Sequence, residues 1–181
     1  MGSPPPSAGS ILGVVVTDLT MHPDSRGAFT ELFRESWDLD VSPIQWNVVR
    51  SEEGVLRGVH VHPRHDDYLS VLTGRATVGL RDLRSGSPTE GLADLVELSG
   101  DQLRSIVIPH GVAHGFLFHE PSLHMYSVSH YWDTDDELGC LWSDPALEIP
   151  WPFSPSDLSK KDTNAQSLGD LLIELESYQP I

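Results

Sequence analysis

The sequence of 181 residues carries a formal net charge of −16, with 39% hydrophobic and 21% charged residues. This size and composition predict a globular chain with a sizeable core. Nucleic acids and anionic membrane surfaces attract a basic footprint, so the negative charge argues against both as partners. No apolar run is long enough to span a bilayer. A phosphate-bearing small molecule needs only a few local Arg or Lys residues and is not excluded.

The N-terminal segment and the cysteine count indicate domain limits and compartment. Residues 1–10 are rich in Pro, Ser and Gly and are predicted to form a disordered tail before a single domain at residues 11–181. The first six residues lack the basic start and apolar core of a secretion signal. Cys140 is the only cysteine and cannot form an internal disulfide, which suits a reducing compartment. We therefore expect a cytoplasmic protein.

The first 40 residues predict two strands separated by a turn. Phe29, Glu31 and Phe33 share one face of the second strand, which we expect to be buried. A carboxylate between two aromatic side chains on such a face suggests a paired or ligand-binding Glu31. The predicted elements are a strand at residues 14–17, a turn at 21–27, a strand at 28–33 and a short helical turn at 36–40.

The run at residues 54–62 combines a strand pattern with an arginine and two histidines, and a strand-like segment at 47–50 precedes it. Alternation along a strand places Arg57 on one face and His60 with His62 on the opposite face. Two histidines on one inward face would be unusual and would mark a functional site. A solvent-facing polar stripe explains an isolated pair of histidines equally well.

The remainder of the chain continues as short strands until a late helix. Apolar residues at 168, 171, 172 and 175 have helical spacing. About ten short strands with regular turns and one late helix predict a mainly β protein, a sandwich or barrel of jelly-roll type. The predicted strands are 67–73, 75–83, 92–98, 105–108, 113–118 and 123–132, followed by an acidic turn at 133–137 and the helix at 165–175.

One interpretation of the polar residues is acid–base catalysis. Strands that are distant in sequence line one cavity in a β-barrel. A carboxylate such as Asp162 could hold one ring nitrogen of His60 and leave the other nitrogen basic. Tyr126 could then donate a proton from the opposite side. A base and an acid on opposite faces of a carbon acid can invert a stereocentre.

The alternative interpretation is a divalent metal bound by His60, His62, Asp66 and His114, because imidazoles and a carboxylate suit Fe, Ni, Mn or Zn. The spacing of these residues resembles the general cupin pattern. Two positions depart from that pattern, since the acidic ligand is usually Glu and Phe118 stands where Asn is usual. The positions that match are Gly54, His60-x-His62, Gly74 and Pro109-x-Gly111-x-x-His114.

A closer resemblance covers residues 16–161. Many short motifs occur in the order typical of the dTDP-4-dehydrorhamnose 3,5-epimerase family, which comprises metal-free cupins that act on sugar nucleotides. Each motif is weak alone, but their number and order make chance agreement improbable. The motifs are Asp24-Ser25-Arg26-Gly27, Gln45-Trp46-Asn47, Gly54-Val55-Leu56-Arg57-Gly58-Val59-His60, Asp82-Leu83-Arg84, Ser87-Pro88-Thr89, Ile108-Pro109-x-Gly111-x-Ala113-His114-Gly115-Phe116, Trp142-x-Asp144-Pro145 and Ser159-Lys160-Lys161-Asp162.

The resemblance implies a cupin-type double-stranded β-helix, a jelly-roll barrel with a short C-terminal helix. It implies that His60 is the base, Asp162 its orienting partner and Tyr126 the acid, with no metal and no cofactor. The implied substrate is a dTDP-linked 4-keto-6-deoxyhexose, epimerised at C3, C5 or both in deoxysugar biosynthesis by a homodimer. Tyr131 or Trp132 would stack on the thymine ring. The other substrate-binding positions are Arg26, Glu31, Gln45, Asn47, Arg57, His114, Glu137 and Lys161.

One position departs from the family. Counting back from Gly74, Asp67 stands where the family has a lysine near the 4-keto oxygen, and Gln or Glu is expected near His62. A cation there stabilises the charge of the transition state, and losing such a donor costs about 3–4 kcal/mol. Arg57 or His114 could replace the lysine, or the reaction could be restricted to one carbon or changed. A sugar-nucleotide-binding protein without catalysis is a further alternative.

Overall fold

The computed structural model describes residues 6–178, in which two antiparallel sheets face each other as a jelly-roll barrel. The strands are β1 (Pro6–Ala8), β2 (Val15–Asp18), β3 (Met21–Asp24), β4 (Gly27–Thr30), β5 (Gln45–Ser51), β6 (Leu56–Val61), β7 (Asp67–Thr73), β8 (Arg75–Asp82), β9 (Ala93–Ser99), β10 (Arg104–Ile108), β11 (Val112–Phe118), β12 (Ser122–Val128) and β13 (Leu138–Gly139). The larger sheet has the order β1-β2-β10-β7-β12-β5, and the smaller has the order β13-β6-β11-β8-β9. Strands β3 and β4 form a separate hairpin.

Two α-helices follow the strands. Helix α1 (Lys160–Thr163) and helix α2 (Leu168–Ser177) each begin after a serine, Ser159 and Ser167, whose hydroxyl accepts a backbone N–H of the first turn. The 3-10 turns are Glu35–Trp37, Thr134–Asp136 and Pro145–Leu147. Among residues 6–178, no helix combines the length and apolar character needed to cross a membrane.

Apolar side chains cover both faces of the barrel wall. On β7, Leu69 points to the core between the sheets, and its neighbour Tyr68 points to an outer layer that includes Trp37. Burial on both faces explains why apolar residues of β7 occur at adjacent positions and do not alternate strictly with polar ones. The outer face of the smaller sheet is covered by α2, whose Leu171 packs in the same cluster as Val59. The barrel interior is therefore supported from outside on both walls.

Most strands confirm the sequence pattern, but several regions differ. Residues 21–24, predicted as a turn, form β3, because Met21 pairs with Thr30 and shortens the turn to Ser25 and Arg26. Strand β12 ends at residue 128 instead of 132. Strand β1 pairs with β2 inside the segment predicted as a tail, while residues 1–5 of that tail lie outside the described residues. The short β13 and α1 have no periodicity long enough to predict them.

An irregular pairing between β6 and β11 overturns one sequence prediction. His114 pairs with His60, but Phe116 pairs with Arg57, so β6 has one residue more than β11 across this interval. Gly58 lies inside the interval with φ of 119°, a backbone conformation that favours glycine. Because the extra residue breaks the alternation, Arg57 faces the same cavity as His60 and not the opposite side.

The Asp82-Leu83-Arg84 motif has a structural role. The Asp82 carboxylate is fully buried and accepts hydrogen bonds from Arg84 Nε at 2.8 Å, Ser87 Oγ at 2.7 Å and Thr89 Oγ1 at 2.6 Å. Burial alone would raise the pKa of Asp82, but these bonds outweigh it and lower the pKa. The motif therefore fixes the turn that follows β8, away from the barrel cavity.

Candidate active site

A histidine and a carboxylate that are far apart in sequence form one pair. Strand β6 presents His60, and helix α1 presents Asp162, with 2.7 Å between His60 Nε2 and Asp162 Oδ1. The Ser159 hydroxyl caps α1 by accepting the backbone N–H of Asp162 at 3.0 Å. Asp162 is only 4% exposed. The structure thus brings together the predicted base and its predicted orienting partner.

The charge state of Asp162 fixes the tautomer of His60. Burial alone would raise the pKa of Asp162, but the hydrogen bond and charge of His60 and the bond from Ser159 lower it overall. The carboxylate is therefore ionised at neutral pH and can only accept, so Nε2 of His60 donates to it. The other ring nitrogen, Nδ1, keeps its lone pair and is the basic atom.

The pair borders a cavity of about 320 Å³ between the two sheets. Tyr126 lies on β12 of the larger sheet and His60 on β6 of the smaller, so the two side chains reach the cavity from opposite walls. Among the predicted residues, those that line this cavity are Arg57, His60, His114, Tyr126, Trp132, Glu137, Lys161 and Asp162.

The environment of Tyr126 favours the protonated phenol. Burial raises the pKa of its phenol, and the nearby negative charges of Glu137 and Asp67 raise it further. The hydroxyl therefore stays neutral at physiological pH, which is the state that a general acid requires.

Two cationic side chains at the cavity are oriented by contacts. Arg57 donates from Nε to Ser51 Oγ at 2.9 Å and from Nη2 to the Arg50 carbonyl at 3.2 Å. Lys161 donates to the Glu137 carboxylate at 3.1 Å. Burial alone would raise the pKa of Glu137, but contacts with Trp132, His60 and Lys161 lower it. Fixed charges of both signs thus line the cavity.

The other predicted binding residues lie away from this cavity. Gln45 donates to Asn47 at 3.0 Å and accepts the backbone N–H of Trp132 at 3.1 Å, which places it near the cavity mouth. Tyr131 is 66% exposed. The side chain of Arg26 is 88% exposed and is paired with Asp24.

The prediction for Glu31 is confirmed in part. Strand β4 ends at Thr30 and Phe29 is 61% exposed, which contradicts the expected burial at that end, whereas Phe33 packs against the buried cluster that contains Tyr68. Glu31 is paired as predicted, since it accepts Nε of Arg34 at 2.9 Å. The hairpin has no third strand to cover it, which the sequence pattern alone does not reveal.

The predicted metal-ligand set is also not assembled. His60 is engaged by Asp162, and Asp66 accepts the backbone N–H of His110 at 2.8 Å and lies 2.9 Å from its Nδ1. Instead of Asp66, its neighbour Asp67 lies buried near His62 and His114, with each Nε2 within 3.7 Å of the carboxylate. Burial raises the pKa of Asp67, and burial lowers the pKa of His114 to about 4.

The sequence interpretation missed His124, which lines the cavity beside Tyr126. Burial, followed by the charge of Arg57, lowers the pKa of His124 to about 4, so this ring is neutral. Its Nδ1 is buried without a hydrogen-bond partner. Alternation with Tyr126 at i and i+2 on the same strand could have identified it.

Comparisons with known proteins identify the family of this chain. The family model described as dTDP-4-dehydrorhamnose 3,5-epimerase matches residues 8–170. The dTDP-4-dehydrorhamnose 3,5-epimerase of Pseudomonas aeruginosa is 35% identical over 173 residues, which cover 89% of this chain and 94% of that protein.

Solved structures support the same assignment. A dTDP-6-deoxy-D-glucose-3,5-epimerase of Legionella pneumophila in complex with dTDP-4-keto-L-rhamnose has a TM-score of 0.88 and 32% identity, covering 97% of this chain and 99% of that one. A 4-keto-6-deoxy sugar epimerase from the novobiocin biosynthetic gene cluster of Streptomyces spheroides has a TM-score of 0.84 and 28% identity, covering 94% and 90% of the two chains. This chain belongs to the dTDP-4-dehydrorhamnose 3,5-epimerase family.

Proposed function

We propose that this protein is an isomerase that epimerises a dTDP-linked 4-keto-6-deoxyhexose at C3, C5 or both, in deoxysugar biosynthesis. The observation that supports this most directly is the position of His60 and Tyr126 on opposite walls of one cavity. A base paired with a buried carboxylate and a neutral phenol facing it are the two groups that inversion of a carbon acid requires. The volume of the cavity is also within the usual range for small-molecule sites.

The reaction starts at a carbon next to the ketone. Nδ1 of His60 removes the proton from that carbon, and the C–H electron pair moves through the new C–C double bond onto the carbonyl oxygen as an enolate. Asp162 stabilises the imidazolium that forms. Tyr126 then donates its proton to the opposite face of the same carbon, and the enolate returns to the ketone with inverted configuration. Exchange with solvent returns His60 to the neutral form and Tyr126 to the protonated form, and a second cycle would account for inversion at the other carbon.

The nucleotide is held by groups near the cavity mouth. Trp132 lines the cavity and is 45% exposed, which leaves an aromatic face for the thymine ring, and Tyr131 is the alternative next to it. Arg57 is suited to the diphosphate because its guanidinium is held in place by Ser51. His114, Glu137, Lys161, Gln45 and Asn47 complete the proposed sugar and nucleotide contacts.

Solvent exchange provides the direct test. Incubated with dTDP-4-keto-6-deoxyglucose in heavy water, the protein should incorporate deuterium at C3, C5 or both, as followed by NMR and mass spectrometry. Exchange at one carbon alone would define a monoepimerase. If dTDP binds tightly but no dTDP-linked 4-keto sugar exchanges, the protein is a binding homologue and the proposed function is wrong.

We further propose that the protein works as a homodimer. Strand β5 is the last strand of the larger sheet, and its Trp46 and Val48 are 46% and 64% exposed. An open apolar edge strand favours pairing with another chain, and Phe29 of the hairpin adds a further exposed aromatic ring. A second copy of the chain that packs against this edge would also contact Arg26 and Glu31.

Sedimentation equilibrium should give twice the chain mass of 20.0 kDa. Val48→Glu should shift the protein towards the monomer, because it places a charge on the apolar edge. Thr163→Glu, on the exposed side of α1, should leave the mass unchanged. A wild-type protein that remains at the single-chain mass at all concentrations would exclude the dimer.

The compartment is proposed from the cysteine content. The sequence contains one cysteine, Cys140, which is buried. A single buried thiol needs no oxidising environment, and we propose a cytoplasmic location.

A further inference from the structure

Three buried side chains that the proposed proton transfers do not use converge at one point of the cavity. Nε2 of His62 and Nε2 of His114 lie 3.6 Å and 3.7 Å from the same atom, Oδ2 of Asp67. His62, Asp67 and His114 are 6%, 4% and 3% exposed. All three line the cavity that also contains His60 and Tyr126.

Backbone carbonyl groups fix the tautomers of both rings. Nδ1 of His62 lies 3.2 Å from the carbonyl oxygen of Asp136, and Nδ1 of His114 lies 3.1 Å from that of Val112. A carbonyl oxygen can only accept, so Nδ1 is the donor in both rings and Nε2 keeps its lone pair. Metal-ligating histidines usually make this second hydrogen bond, because it orients the ring and raises its basicity.

The two ring nitrogens are therefore acceptors, and so is the Asp67 carboxylate when it is ionised. A shared proton would draw one nitrogen and the carboxylate to about 2.7–3.0 Å, which is shorter than the observed 3.6 and 3.7 Å. A metal ion with bonds of about 2.0–2.1 Å holds tetrahedral ligands about 3.3–3.4 Å apart, much closer to the observed spacing. We propose that His62, Asp67 and His114 bind one divalent transition-metal ion, with its remaining coordination positions open to the cavity.

The nearby group of His62, His65 and Asp136 is a weaker candidate. Nδ1 of His65 is 2.6 Å from Oδ2 of Asp136, an ordinary hydrogen bond that already satisfies both atoms. Nε2 of His65, in contrast, is buried without a hydrogen-bond partner and lies 3.9 Å from Oδ1 of Asp67. His65 is only 1% exposed, so this free nitrogen faces the proposed site from the protein interior. Nε2 of His65 could therefore contact Oδ1 of Asp67 or serve as a further ligand of the metal.

The ligand set indicates the class of metal. Two imidazoles and one carboxylate with open positions suit zinc, iron, cobalt, nickel or manganese better than the hard ions calcium and magnesium. The ligands come from both sheets, with Asp67 at the start of β7 in the larger sheet and His114 on β11 of the smaller sheet. The ion would therefore link β7 of the larger sheet to the smaller sheet at the end of the barrel.

The role of the ion rests on the proposed function. Removal of a proton by His60 leaves the C–H electron pair as negative charge on the ketone oxygen, and an unneutralised Asp67 beside that oxygen would oppose the reaction. A divalent ion bound to Asp67 makes the net local charge positive, and the ketone oxygen would bind to the ion at an open coordination position. Tyr126 then protonates the carbon, so no electrons are gained or lost and no further reactant is needed.

Binding is tested with Co²⁺ alone, on protein stripped of metal by dialysis against dipicolinate. Calorimetry and visible absorption should show one Co²⁺ per chain, with d–d bands of a low-symmetry N/O site, and a rise in the melting temperature. Asp67→Asn and His114→Ala should weaken binding by more than about 100-fold, beyond the 10- to 100-fold typical of outer-sphere changes. Asp66→Asn is the matched control and should bind Co²⁺ normally, because the Asp66 carboxylate contacts His110.

The role is tested by solvent exchange into the keto sugar. Stripping the metal, as checked by elemental analysis, should lower exchange by about 100-fold or more, and Co²⁺ or Zn²⁺ should restore it. Asp67→Lys supplies a cation without a metal, so its exchange should be insensitive to the chelator. Circular dichroism confirms that each variant is folded.

The outcomes separate the metal site from the proposed function. Wild-type protein that shows no Co²⁺ bands and no calorimetric signal would overturn the metal site, whatever the exchange assay gives. Full exchange after complete stripping would overturn its catalytic role. Stoichiometric Co²⁺ binding that depends on Asp67, in a protein that exchanges no keto sugar, would support the site and reject the epimerase.

Discussion

Replacement of His60 by asparagine will lower deuterium incorporation at C3 and C5 of dTDP-4-keto-6-deoxyglucose by roughly 10²–10⁴-fold, the usual contribution of a positioned acid–base group. Asparagine keeps a polar amide in the place of the near half of the imidazole ring, although it is too short to reach Asp162, which lies 2.7 Å from His60 Nε2. It has no basic nitrogen and cannot accept the proton. The loss should therefore appear in kcat for exchange, with dTDP binding little changed.

The control for this variant is His110→Asn. His110 is an exposed histidine whose ring contacts Asp66 outside the cavity, so its replacement should leave exchange unchanged. The exchange rate is measured by NMR at several pH values to ensure that a shifted optimum is not mistaken for a loss. Exchange by His60→Asn at the wild-type rate would show that another group removes the proton.

Replacement of Tyr126 by phenylalanine will separate exchange from inversion. His60 can still remove and return the proton on its own face, so deuterium should enter the substrate within about tenfold of the wild-type rate. Inversion needs a proton from the opposite wall, and we expect formation of the epimer to fall by roughly 10²–10⁴-fold. Burial raises the pKa of Tyr126, so in the wild type this donor remains protonated to well above neutral pH.

Tyr178→Phe is the matched control, since its hydroxyl makes a 3.4 Å contact with Asp136 and lies outside the cavity lining. Its ratio of inversion to exchange should equal that of the wild type. The measurement is the distribution of deuterium between retained and inverted sugar, read by NMR. Equal loss of exchange and inversion in Tyr126→Phe would show that the phenol positions the substrate and is not the acid.

Much of the fold could be predicted because its strands have local signatures. Strand β7 was predicted at residues 67–73 and has these bounds, since its residues Tyr68, Leu69, Val71 and Leu72 favour a strand and Gly74 closes it. Strand β3 was missed because its stability comes from pairing with β4 and not from alternation. The exposed Phe29 of β4 shows that an apolar strand face need not be covered within one chain.

The pair of His60 and Asp162 was one option of the acid–base interpretation and was also implied by the family resemblance, and the structure places the two side chains together. No local pattern could show that pairing, since helix α1 has only four residues. The cluster of Asp67 with His62 and His114 was missed for a different reason. Cupin spacing favours Asp66, but strand β7 begins at the next residue, which turns Asp67 inward and leaves Asp66 to His110.

The irregular pairing of β6 and β11 decides which side chains share the pocket. The one additional residue on β6 is what brings the guanidinium of Arg57 to the same side as the imidazole of His60. A regular pairing over the same residues would place these two side chains, three positions apart, on opposite faces of the strand. Directed-evolution libraries should therefore keep Gly58 unchanged, because its φ of 119° favours glycine and sustains the irregularity that joins the proposed phosphate anchor to the proposed catalytic base.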